Sequence, residues 1–399
     1  MTKPFDVAIV GGGLSGTTMA AILGTAGLRV ALVERNAPST LEAPAYDGRT
    51  TAITFGSRRI MERGGLWDAL APGACPIDDI RVADGRSPLF LHFDSREVDD
   101  EPFGWIVENR VIRRALHTRL AALDTIAHIA PAAVAEIDTS GELAHLVLAD
   151  EREITADLIV GADGRDSFVR KSAGIGTVGW EYRQSAIVTV MGHELPHGNI
   201  AVENFLPAGP FAILPMNGAP DGTHRSSIVW TDRIDAAPLY LKLDAAAFDA
   251  ELQRRAGDWL GQVRDLGPRF VYPLQLRHAK RYVGPRMALI ADAVHVIHPI
   301  AGQGLNLGMR DIGLLADLLI DQRRKGLDLG APALLARYER GRRADNLIYS
   351  AATDILDRLF SNSIPPIRIA RRMGLGTVNR ISPLRRFFMR NAMGAANTS

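Results

Sequence analysis

The first 34 residues follow the order strand, glycine-rich turn, helix and second strand. The continuous apolar run at residues 7–10 is typical of a strand that is buried on both faces of a parallel sheet. The turn GGGLSG comes directly after it, a helix is predicted over residues 14–27, and a second strand over 29–33 ends at Glu34. This order constrains the fold more than any other feature, because it predicts a βαβ unit of the kind that binds dinucleotides.

The three glycines of the turn have separate roles in such a unit. Gly11 permits the tight turn, Gly13 lets the backbone approach a pyrophosphate, and Gly16 lets the helix pack closely on the strand. The N-terminus of the helix then faces the phosphate charge. Glu34 lies where an acid can accept hydrogen bonds from ribose hydroxyls. Strand, turn, helix and acid in this order are stronger evidence for dinucleotide binding than the glycines alone.

Two further glycine-bearing segments point to the same ligand. GADGRDS at 161–167 follows an apolar run, and ADAVHVIHPIAGQGLN occupies 291–306. In the second of these, a strand predicted over 287–291 ends at Asp292, and a glycine-rich turn leads into a helix from about Leu305. The acid can bind a ribityl hydroxyl, and the turn directs N–H groups and the positive end of the helix at an anionic partner. A flavin offers such a partner, because its N1/C2=O edge becomes anionic on reduction.

Together these segments resemble the single-component aromatic flavoprotein monooxygenases, which share the p-hydroxybenzoate hydroxylase fold. The chain is closer still to the UbiH-like branch, the 2-polyprenylphenol hydroxylases of ubiquinone biosynthesis. The resemblance covers essentially the whole chain, with one departure at Ala291, where the family usually has glycine before the aspartate. The branch-type features are the sequences DGRTTAI, WIVEN, WEYRQ, GPFAILP and YPL, which begin at Asp47, Trp105, Trp180, Gly209 and Tyr272.

The resemblance implies a specific set of site residues. Pro299 is expected over the active-site face and Arg49 near the pyrophosphate and the flavin, and these are the two candidate catalytic residues. Asp163 belongs to a motif linked to both FAD and NAD(P)H binding, and Asp292 is expected at the ribityl chain. The implied FAD-binding residues are Gly11, Gly13, Ser15, Gly16, Glu34, Arg35, Arg49, Asn109, Asp163, Asp292, Gly302, Gln303, Gly304, Leu305 and Asn306.

The implied activity is that of an FAD-dependent monooxygenase with NAD(P)H and O2 as co-substrates. The resemblance implies that NAD(P)H reduces FAD, that a C4a-hydroperoxide forms, and that it hydroxylates the ring of a polyprenyl phenol intermediate of ubiquinone biosynthesis. Two alternatives stay open: a hydroxylase of a small soluble aromatic compound, and a catalytically quiet FAD-binding subunit of a biosynthetic complex. The intact turn at 302–306 argues against the second alternative.

The three cofactor segments are far apart in the chain, so the cofactor domain must be discontinuous. The predicted fold is α/β, with a Rossmann-like FAD-binding domain, an antiparallel β-sheet substrate domain and a C-terminal helical region. The FAD-binding domain is predicted at residues 1–76, 103–181 and 282–332, the substrate domain at 77–102 and 182–281, and the helical region at 333–399.

The predicted substrate domain consists of short strands bounded by turns, and this pattern favours an antiparallel sheet. We expect this sheet to roof the flavin and to form the substrate pocket. Prolines should end two of the strands, because a proline cannot donate a hydrogen bond to a neighbouring strand. The strands are predicted at 186–190, 200–205, 211–214, 226–230 and 270–276, with Pro215 and Pro273 as the terminating prolines.

Composition excludes several classes of protein. The net charge is +1, so no global field recruits nucleic acid, and no nucleic-acid partner is expected. Cys75 is the one cysteine, so no internal disulfide can form and a reducing, cytoplasmic location is expected. The sequence has no signal-peptide pattern and no apolar run near the roughly 20 residues of a spanning helix. His295 and His298 fall in the third glycine-bearing segment and no acid or cysteine completes a metal set with them, so no metal is expected.

The C-terminal tail is strongly basic. After Asp357 it has eight arginines and no acidic residue, with apolar side chains between them. Basic amphipathic helices can lie on anionic membrane surfaces, so residues 364–390 predict peripheral contact with the inner face of a membrane. The alternative is a helical cap packed on the FAD-binding domain, with solvated arginines. The resemblance also leaves open contacts with other ubiquinone-biosynthesis proteins.

Overall fold

A computed structural model of the protein describes residues 4–43, 48–85, 87, 90–98, 100–298 and 302–360, together with 383, 385, 386, 389, 390, 393 and 394. The strands are β1 (Phe5–Val10), β2 (Val30–Val33), β3 (Thr50–Thr54), β4 (Cys75–Ile77), β5 (Asp79–Asp84), β6 (Phe90–Asp94), β7 (Gly104–Glu108), β8 (Ile126–Ile129), β9 (Val134–Asp138), β10 (Ala144–Leu148), β11 (Glu153–Gly161), β12 (Thr177–His193), β13 (Ile200–Leu206), β14 (Gly209–Met216), β15 (His224–Arg233), β16 (Val263–Asp265), β17 (Phe270–Ala279), β18 (Val283–Gly284), β19 (Met287–Leu289) and β20 (His295–Val296). The helices are α1 (Leu14–Thr25), α2 (Pro38–Glu42), α3 (Phe55–Arg63), α4 (Trp67–Leu70), α5 (Asn109–Ala121), α6 (Phe168–Ser172), α7 (Ala237–Leu241), α8 (Ala245–Ala256), α9 (Gln303–Arg324) and α10 (Pro332–Phe360).

A mostly parallel sheet with the order β18-β19-β11-β1-β2-β8 carries the predicted cofactor segments. β1 pairs in parallel with β2 and with β11, so the strands before the first and second segments lie side by side. β19, which precedes the third segment, pairs in parallel with the other edge of β11. Because the carboxyl ends of parallel strands meet at the same edge of a sheet, all three segments come to one place.

The apolar strands of this sheet are covered on both faces. Val7, Ala8 and Ile9 of β1 have no exposed surface, and α1 packs over them. α1 begins at Leu14 and ends where Gly27 adopts a φ of 86°, which lets the backbone close the last turn. The βαβ unit predicted from the sequence is confirmed.

The second sheet has the order β20-β17-β12-β15-β14-β13-β5-β6 and is antiparallel except where β13 pairs with β5. All five predicted strands are present and extend further than predicted. The expectation that Pro215 and Pro273 end strands is wrong. Pro215 lies inside β14 but beyond its last pair with β13, and Pro273 lies where the β12–β17 register shifts between Glu181 and Ser185. At both places the proline lacks an N–H group, but no hydrogen bond of the regular pairing between neighbouring strands is lost.

The small sheet β3-β7-β4 contributes side chains to two hydrophobic clusters, and C-terminal residues join one of them. Met389 and Met393 are buried in a cluster with Phe93 and Phe103, and the Gly56 N–H donates to the Met393 carbonyl at 3.0 Å. This part of the tail therefore packs as a cap. The cap was predicted on the FAD-binding domain, whereas these residues pack on the side of β6 and β7. Among the described residues, no helix is long and apolar enough to cross a membrane.

Candidate active site

A cavity of about 1700 Å³ opens at the edge where the three segments meet and continues along one face of the second sheet. Binding sites for drug-sized ligands are usually about 300–1,000 Å³, so this cavity has room for a large cofactor and a second molecule. Of the predicted site residues that the structure describes, twelve line it: Gly11, Gly13, Ser15, Glu34, Arg35, Arg49, Asn109, Asp163, Asp292, Gly302, Gly304 and Leu305.

The first segment combines tight packing with open space. A Cβ atom at Gly16 would lie 1.9 Å from the Gly11 carbonyl oxygen, and one at Gly11 would lie 2.5 Å from the Ala162 carbonyl oxygen. A Cβ at Gly13 would meet no protein atom within 4 Å. Gly16 therefore holds the turn against the helix without facing the cavity, whereas Gly13 leaves the cavity open to a ligand.

The Glu34 carboxylate is fixed at the end of β2. It accepts hydrogen bonds from the Gly12 N–H at 2.7 Å and the Asn36 N–H at 2.8 Å. A carboxylate has about four lone-pair positions, so acceptor capacity remains for hydroxyl groups of a ligand. Arg35 lies beside it, exposed at the rim of the cavity.

Asp163 has one oxygen bound to the protein and one that faces no donor. Its Oδ2 accepts from the N–H groups of Phe168 at 2.6 Å and Val169 at 3.1 Å, at the start of α6. The Ser167 side chain caps the same helix by accepting a hydrogen bond from the Arg170 N–H. Among the described residues, Oδ1 of Asp163 is buried without a hydrogen-bond partner. Such an orphaned acceptor in a cavity wall is costly unless a ligand donates to it.

Arg170 joins the second segment to the third. Its buried guanidinium donates from Nη1 to the Ala293 carbonyl and from Nη2 to the Arg165 carbonyl, both at 2.8 Å. These bonds hold the turn that contains Asp292 at the carboxyl end of the parallel sheet.

The strand predicted over 287–291 is wrong at its end. β19 stops at Leu289, and residues 291–293 form a 3-10 turn. The cause is Ala291, whose φ of 53° lies in the left-handed region and cannot continue a strand. Asp292 on this turn faces the cavity; burial raises the pKa of its carboxyl, opposed by the charges of His295, Arg49 and Arg165.

The third segment begins a long helix at the cavity. Gly302, with a φ of 62°, precedes the first residue of α9, and a Cβ at Gly304 would meet nothing within 4 Å. Gln303 and Asn306 do not line the cavity. Asn306 is buried and ties α9 to β3, because it accepts from the Thr54 N–H at 3.0 Å and donates to the Ala52 carbonyl at 2.7 Å. The predicted catalytic residue Pro299 lies outside the described residues.

Arg49 and Asn109 both line the cavity, Arg49 just before β3 and Asn109 at the start of α5. The Asn109 N–H donates to the Arg49 carbonyl at 3.0 Å, and the Thr51 hydroxyl donates to Asn109 Oδ1 at 2.6 Å. The Arg49 guanidinium lies 5.1 Å from the centre of the Tyr272 ring on β17. Arg49 therefore connects the cofactor segments with the sheet that continues the cavity.

A buried ionic cluster beneath the third segment was not found by sequence reasoning. Asp311 on α9 bonds to His295 Nε2 at 2.6 Å and accepts from Arg342 Nε at 2.8 Å. A signal was present, since Asp311 is a charged residue four positions from both Leu307 and Leu315 on the buried face of α9. His295 thus has a structural partner, and the described residues contain no group of three or more metal-binding side chains.

Comparison with known proteins identifies the family. Residues 4–346 match the family described as FAD binding domain. The chain is 51% identical to ubiquinone hydroxylase UbiL of Rhodospirillum rubrum, over 98% of this chain and 90% of that protein. The chain belongs to the UbiH-like family of FAD-dependent hydroxylases. It is also 34% identical to 3-demethoxyubiquinol 3-hydroxylase of Escherichia coli, over 98% of this chain and 99% of that protein. The crystal structure of p-nitrophenol 4-monooxygenase from Pseudomonas putida DLL-E4 has 20% identity and a TM-score of 0.82 over 100% of both chains, in agreement with the p-hydroxybenzoate hydroxylase fold.

The family membership confirms an FAD-dependent monooxygenase with NAD(P)H as donor. The described residues fit FAD on three independent observations. Gly13 leaves open space where a pyrophosphate can approach, Asp163 keeps an unpaired acceptor, and the N-terminus of α9 opens on the cavity at Gly304. An anionic or acceptor-rich ligand edge suits a helix N-terminus, because the first N–H groups of a helix have no intrahelical partner.

Proposed function

We propose that the protein hydroxylates the aromatic ring of a polyprenyl phenol intermediate of ubiquinone biosynthesis. The names of the relatives support this substrate class, and one observation carries it: the cavity extends beyond the cofactor segments along an apolar sheet face. An apolar wall of this extent suits a ring with a hydrocarbon tail, because each buried CH₂ group contributes about 0.8 kcal/mol. The lining side chains of this wall include Ile80, Val82, Leu91, Phe93, Phe205, Leu214 and Val229.

We propose that the residues expected from the sequence hold FAD in two ways. When bound, FAD supplies the redox chemistry, since it takes a hydride from NAD(P)H and activates O2 for insertion into a ring. The twelve residues at the cavity wall act by contact, whereas Gly16, Gln303 and Asn306 act by fixing the chain around it. Arg49 and Pro299 remain the proposed catalytic residues. The predicted division into an FAD-binding and a substrate domain is supported by the separate parallel and antiparallel sheets.

A strain that lacks the gene tests the proposed substrate. We expect it to accumulate an under-hydroxylated prenylated precursor, which extraction and mass spectrometry of the quinone pool would identify together with the ring position. Complementation with the wild-type gene should restore the pool, and complementation with Asp292→Ala should restore it less. An unchanged quinone pool would count against this substrate and favour a small soluble aromatic compound.

We also propose that the C-terminal side of the protein rests on an anionic inner leaflet. Ile348 and Ile355 of α10 are 67% and 61% exposed, and with Leu359 they fall on one side of the helix. Leu359 also lines the cavity, so this apolar stripe leads to the cavity mouth. The prediction for 364–390 falls mostly outside the described residues. Within them, Arg385 pairs with Glu97, whereas two other tail arginines are exposed: Arg386 and Arg390.

Sedimentation with anionic vesicles at low and high salt tests this contact. Each basic residue near an anionic leaflet contributes about 1 kcal/mol, and salt screens that contribution. A variant with Arg371, Arg372, Arg386 and Arg390 changed to Gln should therefore bind less at low salt, while Arg385→Gln serves as a paired-arginine control. Failure of the wild-type protein to sediment with the vesicles at low salt would exclude direct lipid binding.

A further inference from the structure

Glu203 is an acidic side chain in the apolar part of the cavity. It lies on β13 between Ala201 and Phe205, and all three line the cavity because side chains two positions apart share a face. No described residue gives its carboxylate a hydrogen bond or an ion pair, and burial is the one cause that shifts its pKa. A carboxylate in such surroundings is costly unless a donor reaches it.

The register of the sheet shows what surrounds this carboxylate. Glu203 pairs with Val82 of β5 and with Ala212 of β14. Beyond these lie Leu91 of β6, which pairs with Val82, and Val229 of β15, which pairs with Ala212. The side chains directly opposite Glu203 in these pairs carry no charge, and Asp84 lies one pair further along the same face of β5, opposite Phe205. Burial alone therefore raises the pKa of Glu203, to about 7.

The position of Glu203 relative to the cofactor segments follows from the same register. β3 touches the sheet where the Thr50 hydroxyl donates to Ser227 Oγ of β15 at 2.8 Å. Two residues further along β3, Ala52 packs beside Gly302, where a Cβ would lie 3.1 Å from the Ala52 Cβ. β13 is two strands from β15, or roughly 10 Å at the usual strand spacing. Gly302 and Glu203 line the same cavity, so a ligand in it can meet both the cofactor segments and this carboxylate.

We propose that Glu203 is a catalytic residue that binds the phenol O–H of the substrate and accepts its proton. This inference rests on the proposed ring hydroxylation. The phenol O–H bond breaks, the proton moves to a carboxylate oxygen, and the oxygen electron pair makes the ring carbon more nucleophilic. After that carbon has gained oxygen and lost its hydrogen as a proton, Glu203 returns a proton to the phenolic oxygen. The whole reaction consumes the phenol, O2, NAD(P)H and one proton and yields the hydroxylated phenol, NAD(P)⁺ and water.

The apolar wall makes this carboxylate a better base than an exposed one. Proton transfer is most efficient when the pKa of the base lies near the working pH, because the group is then both deprotonated and basic. Phenols have a pKa of about 10, so a raised carboxyl pKa also narrows the gap between acceptor and donor. The same carboxylate favours a phenol over a phenol ether, since the ether has no O–H to donate.

The test uses FAD-loaded protein with 2-geranylphenol and its O-methyl ether as probes. The variants are Glu203→Gln, Glu203→Asp and, as a matched control, Glu136→Gln, which removes an exposed carboxylate from β9. Hydroxylated product, NAD(P)H oxidation and H2O2 are measured between pH 5.5 and 9, and the affinity for each probe is measured without NAD(P)H. General-base catalysis typically contributes 10²–10⁴-fold in rate.

We expect the wild-type hydroxylation rate to rise with pH through about 7. Glu203→Gln should lose this rise and on the order of 100-fold in rate, with more H2O2 per NAD(P)H. The wild type should bind the phenol more tightly than the ether by on the order of 10-fold, and Glu203→Gln should lose this preference. Glu136→Gln should match the wild type, and Glu203→Asp should keep part of the rate and the rise with pH.

Two results would overturn the assignment. One is a Glu203→Gln variant with the wild-type rate and pH profile; the other is a wild-type protein that binds phenol and ether equally. If Glu203→Gln does not hold FAD, the Glu203→Asp variant decides instead. A hydroxylation rate of Glu203→Asp that does not rise with pH through 7 would overturn the assignment of Glu203 as the base. Failure of the proposed function would look different, because the wild type itself would then form no hydroxylated product.

Discussion

The Asp311→Asn substitution should destabilise the protein, because Asp311 accepts hydrogen bonds on both carboxylate oxygens. Oδ1 accepts from Arg342 Nε at 2.8 Å and from Asn346 Nδ2 at 3.1 Å. Oδ2 accepts from the Ala291 N–H at 3.0 Å and lies 2.6 Å from His295 Nε2. An asparagine of the same shape has one acceptor oxygen, so its NH₂ group must face two donors.

Two estimates of the free energy of unfolding that Asp311→Asn loses agree in order of magnitude. Removing one partner from a buried ion pair costs about 3–5 kcal/mol. Burial would raise the pKa of Asp311, but the charges and hydrogen bonds of His295 and Arg342 outweigh burial and hold the pKa at about 2. The unfolded value is about 3.9, so ionisation contributes on the order of 2–3 kcal/mol to folding. Because the folded pKa is the lower one, this contribution is present above about pH 4 and is lost as the pH falls through 2.

Urea unfolding of both proteins over a series of pH values measures this effect. We expect Asp311→Asn to lose about 3–5 kcal/mol of the free energy of unfolding at pH 7, and the difference to shrink below about pH 4. Asp317→Asn is the control, because Asp317 is exposed on the same helix and pairs with Arg63 at the surface. Such pairs contribute about 0–1 kcal/mol. An Asp311→Asn loss below about 1 kcal/mol, or one independent of pH, would refute the reasoning.

Three further predictions concern the cofactor segments. Asp292→Ala should weaken FAD binding by about 1–3 kcal/mol in a flavin fluorescence titration, since a buried ribityl hydroxyl loses its acceptor; unchanged affinity would remove Asp292 from the site. Gly13→Ala should unfold in urea like the wild-type apoprotein but bind FAD more weakly. Gly16→Ala should disrupt folding, because its Cβ would lie 1.9 Å from the Gly11 carbonyl oxygen. Similar stability and FAD affinity of the two variants would contradict this difference. Ala291→Gly should raise the free energy of unfolding by about 0.5–1 kcal/mol. The left-handed conformation costs alanine about 1–2 kcal/mol, and the greater conformational freedom of glycine in the unfolded chain offsets part of the gain from removing that cost. A lower urea midpoint for the variant would show that Ala291 is unstrained.

The cofactor side of the site could be predicted because its signals are local. Each segment follows directly after a strand, and parallel pairing brings strand ends together whatever lies between them in the chain. Gly13 and Glu34 could be placed from spacing alone, since turn, helix and strand have fixed lengths. The resemblance added the branch and the substrate class, which no spacing in the sequence supplies.

The remaining features depend on pairing between distant residues. The partners of Asp311 lie 16 and 31 positions away, on β20 and on α10. Glu203 is one acid in an apolar strand, and its isolation follows from the register with β5 and β14. Pro273 fits inside a strand because the opposite strand shifts register there. None of these pairings leaves a periodic trace in the sequence, so each needed the structure.

Oxygen-18 incorporation tests the central claim most directly. FAD-loaded protein is mixed with 2-octaprenylphenol in detergent micelles, NAD(P)H and ¹⁸O₂, and the product is analysed by mass spectrometry. Ring hydroxylation by this protein predicts a prenyl phenol that carries one added ¹⁸O atom, with NAD(P)H oxidation that the phenol stimulates. NAD(P)H oxidation that the phenol does not stimulate, with H2O2 as the product and an unchanged phenol, would contradict it.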